Sequence, residues 1–379
     1  PPIRAPLPVL VIDEHPLSPI SIAPHISAMQ LTLNSFIVVI FMWFYEYCTS
    51  QLYKSTNFTA NMFGTGGKKF VNLHTRKEDY MARSLKNSTK RHSIILAHIG
   101  ALLCIIMWGT SFVSTKVLLN YGMQPVEIYI YRFILAYLVV MLIGTKRLLS
   151  NNWRDEGLLA LCGVLSGSIY FLAENFALEY TLVTNVSLLT SLSPLITALL
   201  IGIWYRNERP GSGMIIGSIV AFVGVGCVIF NSSFNVQVNP LGDLLSLSAA
   251  VSFSFYSIIL NKLNAVYDVW FITRKTFFYG ILTALPFLAI EHPALSLHQV
   301  FTMPGVYGNI IFLGIGASML GFVLWASTVK SMGAVKANNY LYVQPIITLV
   351  VSAVLLGEHV SVIGCTGCAL ILVGLWLGD

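Results

Sequence analysis

Glu174 and Arg132 are charged residues set inside long apolar runs. Glu174 stands in Ala173-Glu174-Asn175, deep within one run. Arg132 lies about two helical turns inside another. A charge in hydrocarbon is costly and calls for a partner or a task. A carboxyl there can carry a proton or meet an amine. A guanidinium offers a carboxylate a two-pronged fork. The plainer expectation is that the two pair with each other. Arg274, a little over one turn inside its own run, reads as a gate or snorkelling group.

Other polar residues gather around two prolines. Pro194 and Pro345 each fall inside an apolar stretch, where proline removes a backbone hydrogen bond. The freed carbonyls can line a cavity and the kink can flex; a static packing kink is the alternative. Asn185, Ser187, Thr190, Ser191 and Ser193 precede Pro194, and Asn338, Asn339, Tyr340, Tyr342 and Gln344 precede Pro345. Part of each set is expected to line a pathway, and hydrogen bonds between helices absorb the rest. Trp108, Ser111, Tyr129, Tyr170, Asn175, Tyr256 and Trp325 are further lining candidates. Many membrane aromatics instead face lipid or the interface.

Catalytic signatures are missing. There is no HExxH, and of eight His only His98 falls within an apolar span. Gly316-Ala-Ser318 has a serine-hydrolase flavour without a His at that depth. Walker motifs are absent, which argues against ATP-driven transport by this chain alone. An intramembrane enzyme is therefore the weaker reading, and no cofactor or metal is expected. Cys365-Thr-Gly-Cys368 reads as a pair of small packing residues.

These residues need a membrane scaffold to hold them. Hydrophobic residues make up 56% of the 379 and charged ones 10%, so lipid must be the solvent. The net charge of +6 suits anionic headgroups rather than nucleic acid. From Ile94 on, ten runs approach the roughly 20 residues that a bilayer requires. With the residues before Ile94 inside, the inner loops collect Lys and Arg while the outer loops 231–240, 291–304 and 357–359 have none. Lys116, near the outside, is expected to snorkel.

The chain also repeats itself. Ala177 to Pro210 and Ala326 to Val360 each run from Ala through an apolar Pro to a Glu, Glu208 or Glu358. Five spans per repeat is odd, so the second repeat enters from the opposite side, the geometry of alternating access. Val323 stands opposite Glu174, so the acid is not repeated. The fold expected is all-α: a ten-helix bundle of two inverted five-helix repeats, 94–230 and 241–379. Residues 1–93 form an extension, Pro-rich and disordered over 1–25. Its apolar stretch 31–47 is an extra span, an interfacial helix or a signal-like segment. Gly64 to Lys69 reads as a linker rather than a phosphate loop. Gly213, Gly217 and Ala221 share one small-residue face, and Gly364, Gly367, Gly374 and Gly378 another. Both suit packing within the chain, with homodimerisation as the alternative.

From Ile94 to Asp379 the chain resembles the EamA-type permeases of the drug/metabolite transporter superfamily. The resemblance rests on Trp108-Gly-Thr-Ser-Phe112, Arg132-Phe133, the Pro194…Glu208 and Pro345…Glu358 blocks, Gly242-Asp243, and the Gly-rich fifth and tenth spans. It implies a carrier of small organic solutes, often amino acids and often an exporter, in a bacterial inner membrane. The partners expected are a small-molecule solute and the lipid bilayer, with the chain a monomer or homodimer. A nucleotide-sugar or organophosphate exchanger of the same superfamily would favour more cations at the midplane than this chain offers.

Overall fold

The structure, a computed structural model, describes residues 74–144, 147–181, 183–204, 211–229, 239–291, 293, 295–356 and 361–378. The extension's segments 1–25, 31–47 and 64–69, and Glu208 and Glu358, lie outside the described residues.

The described chain is helical throughout, without strands. The helices are α1 His74–Asn120, α2 Pro125–Ile143, α3 Trp153–Tyr180, α4 Val183–Thr190, α5 Ser193–Trp204, α6 Ser212–Ile229 and α7 Pro240–Leu263. Then follow α8 Val269–Ile290, the short α9 Leu297–Thr302, α10 Pro304–Met332, α11 Ala334–Asn339, α12 Gln344–Leu356 and α13 Val362–Gly378. Six stretches among the described residues are long and apolar enough to cross a membrane, and α6 and α13 are shorter apolar helices. Large apolar side chains such as Leu142, Ile216 and Leu372 point outward. In water that surface would be a fault; against lipid it is the expected exterior.

Local sequence sets the helix starts. Asn152 accepts from Asp155 N–H, Asn239 from Leu241 and Gly242 N–H, and Asp268 from Trp270 N–H. Pro125 and Pro240 open α2 and α7, where a missing N–H costs nothing. The same logic governs the two prolines of the repeat. Pro194 is the second residue of α5, after a turn at Ser191-Leu192. Pro345 is the second residue of α12, after a 3-10 turn over Tyr340–Val343. Each apolar run is thus interrupted just before its proline, by a turn in the first repeat and by 3-10 helix in the second.

Packing repeats as the sequence does. Helix α1 lies on α10 as α7 lies on α3. Helix α1 also meets α12 as α7 meets α4 and α5, while α2 packs with α8 and α6 with α13. Exchanging the two halves leaves this pattern unchanged, which is a two-fold relation. It extends to single bonds. Lys116 near the end of α1 donates to the Leu178 carbonyl at 2.6 Å, and Asn264 after α7 donates to the Ala326 carbonyl at 2.9 Å. Lys116 therefore binds a helix end rather than snorkelling. Both α3 and α10 also loosen into π-helix, over Val164–Ile169 and Phe312–Leu320, at corresponding depths. Such π turns gather at functional sites.

The small-residue faces of α6 and α13 meet each other. A Cβ on Gly224 would lie 2.7 Å from the Gly367 carbonyl oxygen and from Ile371 N. These faces are spent on packing within the chain. At the basic end, Lys275 Nζ on α8 pairs with Glu156 Oε1 on α3 at 2.5 Å. Tyr279 donates to the same oxygen at 2.5 Å, and Tyr267 donates to Asp155 at 2.6 Å.

Candidate functional site

Where the halves meet, α1, α3, α7, α10 and α12 enclose a small cavity of about 10 Å³, room for one water. Trp108 and Ser111 come from α1, Tyr170, Phe171 and Glu174 from α3, and Gln344 from the start of α12. Phe253 and Phe322 complete the wall. Trp108 is pinned by its Nε1–H to the Ala317 carbonyl at 2.9 Å, inside the π segment of α10. Its ring meets Phe253 edge-on at 5.6 Å and Trp325 at 5.1 Å. Ser111 turns back to the Trp108 carbonyl at 2.8 Å.

The charges sit at one side of this box. Glu174 is 2% exposed and lies beside the Tyr170 hydroxyl, within the field of Arg132. Arg132 is wholly buried. Its Nε donates to Ser318 Oγ on α10 at 2.9 Å, and its guanidinium lies 4.4 Å from the centre of the Phe171 ring. Neither terminal nitrogen of Arg132 has a hydrogen-bond partner. Arg132 and Glu174 attract each other without closing into an ion pair. Buried donors left open in this way are costly, and a ligand carboxylate would satisfy both.

The other expected site residues scatter. Tyr256 and Trp325 stand behind Phe253, at 5.4 and 5.7 Å between ring centres. Tyr129 packs on Phe133 at 4.3 Å with its hydroxyl against Gly167 and Gly280. Asn175 donates to the Pro125 carbonyl at 2.9 Å, tying α3 to α2. Asn338 bridges Thr197 at 2.5 Å and Ser257 at 3.0 Å. Tyr342 packs with Ala221, Val225, Leu349 and Ile371. Arg274 is buried beside Phe271. Asn339 lies in a different cleft, with His98. Asn185 falls within α4, and its side chain lies outside the described residues. Phe171, Phe253 and Phe322 in the cavity wall, and Ser318 as the partner of Arg132, hold positions that sequence reasoning did not assign; Ser318 stood there only within Gly316-Ala-Ser318. For Ser318 a signal existed: a hydroxyl in the Gly-rich stretch Gly314 to Ser318, where helix packing is close.

Two stretches of the chain, 95–230 and 240–377, each match the profile of the EamA-like transporter family. The chain belongs to the EamA-like transporter family. Relatives of this transporter carry transporter names. One from Archaeoglobus fulgidus, "Uncharacterized transporter", is 26% identical over 278 residues, 73% of this chain and 95% of its own. Another so named, from Clostridium kluyveri, is 24% identical over 291 residues, 73% of this chain and 91% of its own. A third, from Streptantibioticus cattleyicolor, is named "Probable terminal-alkyne amino-acid exporter" and is 27% identical over 282 residues, 73% of this chain and 91% of its own. A crystal structure titled only "Crystal structure of protein" shares the fold with a TM-score of 0.63. It is 17% identical and covers 76% of this chain and 98% of its own. This EamA-like transporter is an integral, multi-pass membrane protein, and its bacterial relatives agree with a bacterial inner membrane.

Proposed function

We propose that this EamA-like protein is a secondary active exporter of amino acids or similar small zwitterions. It works by alternating access between two inverted five-helix repeats, 94–230 and 241–379. The observation that carries this reading is the pair of opposite buried charges beside one aromatic cavity. The open fork of Arg132 takes the solute's carboxylate, and Glu174 takes its amine or, in the unloaded carrier, a proton. Phe171 touches both parts of the site: Arg132 lies over its ring, and it lines the cavity together with Glu174. The amino-acid exporter name of the Streptantibioticus cattleyicolor relative supports the solute class.

The cavity holds about one water, so a solute enters only as the aromatic walls part. The turns before Pro194 and Pro345, and the paired π segments, are the joints suited to that motion. No catalysis is assigned to the chain.

Counterflow in proteoliposomes tests the reading. A panel of amino acids, amines and organic phosphates is offered with and without a pH gradient. Saturable counterflow of amino acids is expected, with Glu174→Gln removing the effect of the gradient. Transport of organic phosphates alone would overturn the solute class. A Glu174→Gln protein with unchanged pH dependence would overturn the coupling role.

A further inference from the structure

A second and larger cavity lies apart from the Glu174 site, where α1 begins its apolar run and α10 and α13 end. Its volume is about 360 Å³, within the range of small-molecule sites. His98 on α1 is ten residues before Trp108, which sets the cleft about 15 Å along the helix from the central cavity.

The walls are of two kinds. On one side stand His98 and the Lys336 ammonium, and among the described residues no carboxylate lines the cleft. His98 Nδ1 and the Tyr340 hydroxyl are hydrogen-bonded, so the back of the cleft is a fixed wall. Asn339 also lines the cleft. On the other side stand Leu375 and Trp376. Trp376 is 78% exposed at the end of an apolar helix, the depth at which tryptophan marks the membrane interface. Cation on one wall and interfacial apolar surface on the other is the signature of a ligand with a charged head and an oily body.

We propose that this cleft is a binding site for an anionic amphiphile, its carboxylate or phosphate head toward Lys336 and His98 and its apolar part along Leu375 and Trp376. The same chemistry can come from an anionic phospholipid of the bilayer or from a free fatty carboxylate in solution.

The test uses the full chain, purified in a neutral detergent. Native mass spectrometry follows retention of phosphatidylglycerol against phosphatidylcholine of equal chain length, and decanoate in a parallel series. Preferential retention of phosphatidylglycerol supports the proposal with lipid as the source. Saturable binding of decanoate supports it with a soluble source. Lys336→Gln should weaken binding about fivefold, and combining it with His98→Gln should weaken it further. Ser331→Trp fills the cleft, keeps Lys336 and His98, and should give a comparable loss; it decides the matter if the double variant does not fold. Equal retention of both lipids without saturable decanoate binding would overturn the proposal. So would unchanged binding in Ser331→Trp.

Discussion

Arg132 on α2 donates its Nε–H to Ser318 Oγ on α10 at 2.9 Å, so a hydroxyl of one repeat holds the guanidinium of the other. The bond takes the one guanidinium donor that a bidentate carboxylate can spare and leaves both terminal nitrogens open. It also spans the two halves that move against each other in the alternating access proposed above. Ser318→Ala should raise the KM for carboxylate solutes about tenfold, the worth of about 1.4 kcal/mol of positioning. Ser318→Thr should restore it. KM from proteoliposome uptake is the readout. A fall in thermal stability with KM unchanged would make the hydroxyl purely structural.

Arg132→Lys keeps the charge and loses the fork. A lysine ammonium is a compact, strongly hydrated point charge, without the planar face that lies over Phe171. Transport of carboxylate solutes should therefore drop at least about tenfold in kcat/KM although the net charge is unchanged. Retained transport would mean that charge alone suffices and that the open nitrogens are not used.

Gly224 marks the closest approach of α6 and α13. A methyl group there would lie 2.7 Å from the Gly367 carbonyl oxygen and 2.8 Å from Leu370 Cβ, and backbone cannot yield as a flexible side chain does. Gly224→Ala should destabilise the protein by about 1–3 kcal/mol, as overpacking does. Gly226→Ala has open space around its Cβ and serves as the control. Thermal unfolding in detergent separates the two. Equal melting temperatures would mean that α6 and α13 do not pack this way.

Glu156 and Lys275 join α3 to α8 with side chains only 15% and 12% exposed. Glu156→Gln or Lys275→Met alone should cost about 2 kcal/mol, since each leaves a charge without its partner. The two together should cost less than the sum. A double-mutant cycle on the unfolding free energy gives the answer, and strict additivity would show that the pair contributes nothing.

Which parts were visible in advance follows from chemistry. Pro194 and Pro345 stand out because proline has no substitute, and they expose the repeat directly. Glu174 and Arg132 stand out because charge is rare in apolar sequence; Glu174 lines the central cavity and Arg132 lies over Phe171, one of its wall residues. Phe171, Phe253 and Phe322 are different. In a membrane helix the lipid face and the core face are equally oily, so a phenylalanine there gives no sign of which way it points. Asn175, Asn338 and Gln344 look alike in sequence. The structure uses two of them to tie helices together and leaves Gln344 in the cavity wall. That choice depends on which carbonyl lies opposite, which only the packed bundle decides. The π turns of α3 and α10 had no counterpart in the sequence reading.

Glu291 supplies a pH test at the other end of the molecule. Its carboxylate accepts from Val126 N–H at 2.8 Å at the start of α2. Burial pushes its pKa above the ordinary carboxylate value, and Glu179 and Glu127 push the same way, although the Val126 bond opposes them. With the folded pKa above the unfolded one, the fold binds the proton more tightly. Its contribution is therefore full below the unfolded pKa and is lost as pH rises through the folded one. Glu291→Gln keeps an oxygen for Val126 and removes the charge. It should leave stability unchanged in acid and raise it by a few tenths to about 1 kcal/mol at neutral pH. Melting temperatures of both proteins from about pH 4 to about pH 8 give the comparison. A variant less stable than the parent at neutral pH would show that the ionised carboxylate anchors the α2 start instead of straining it.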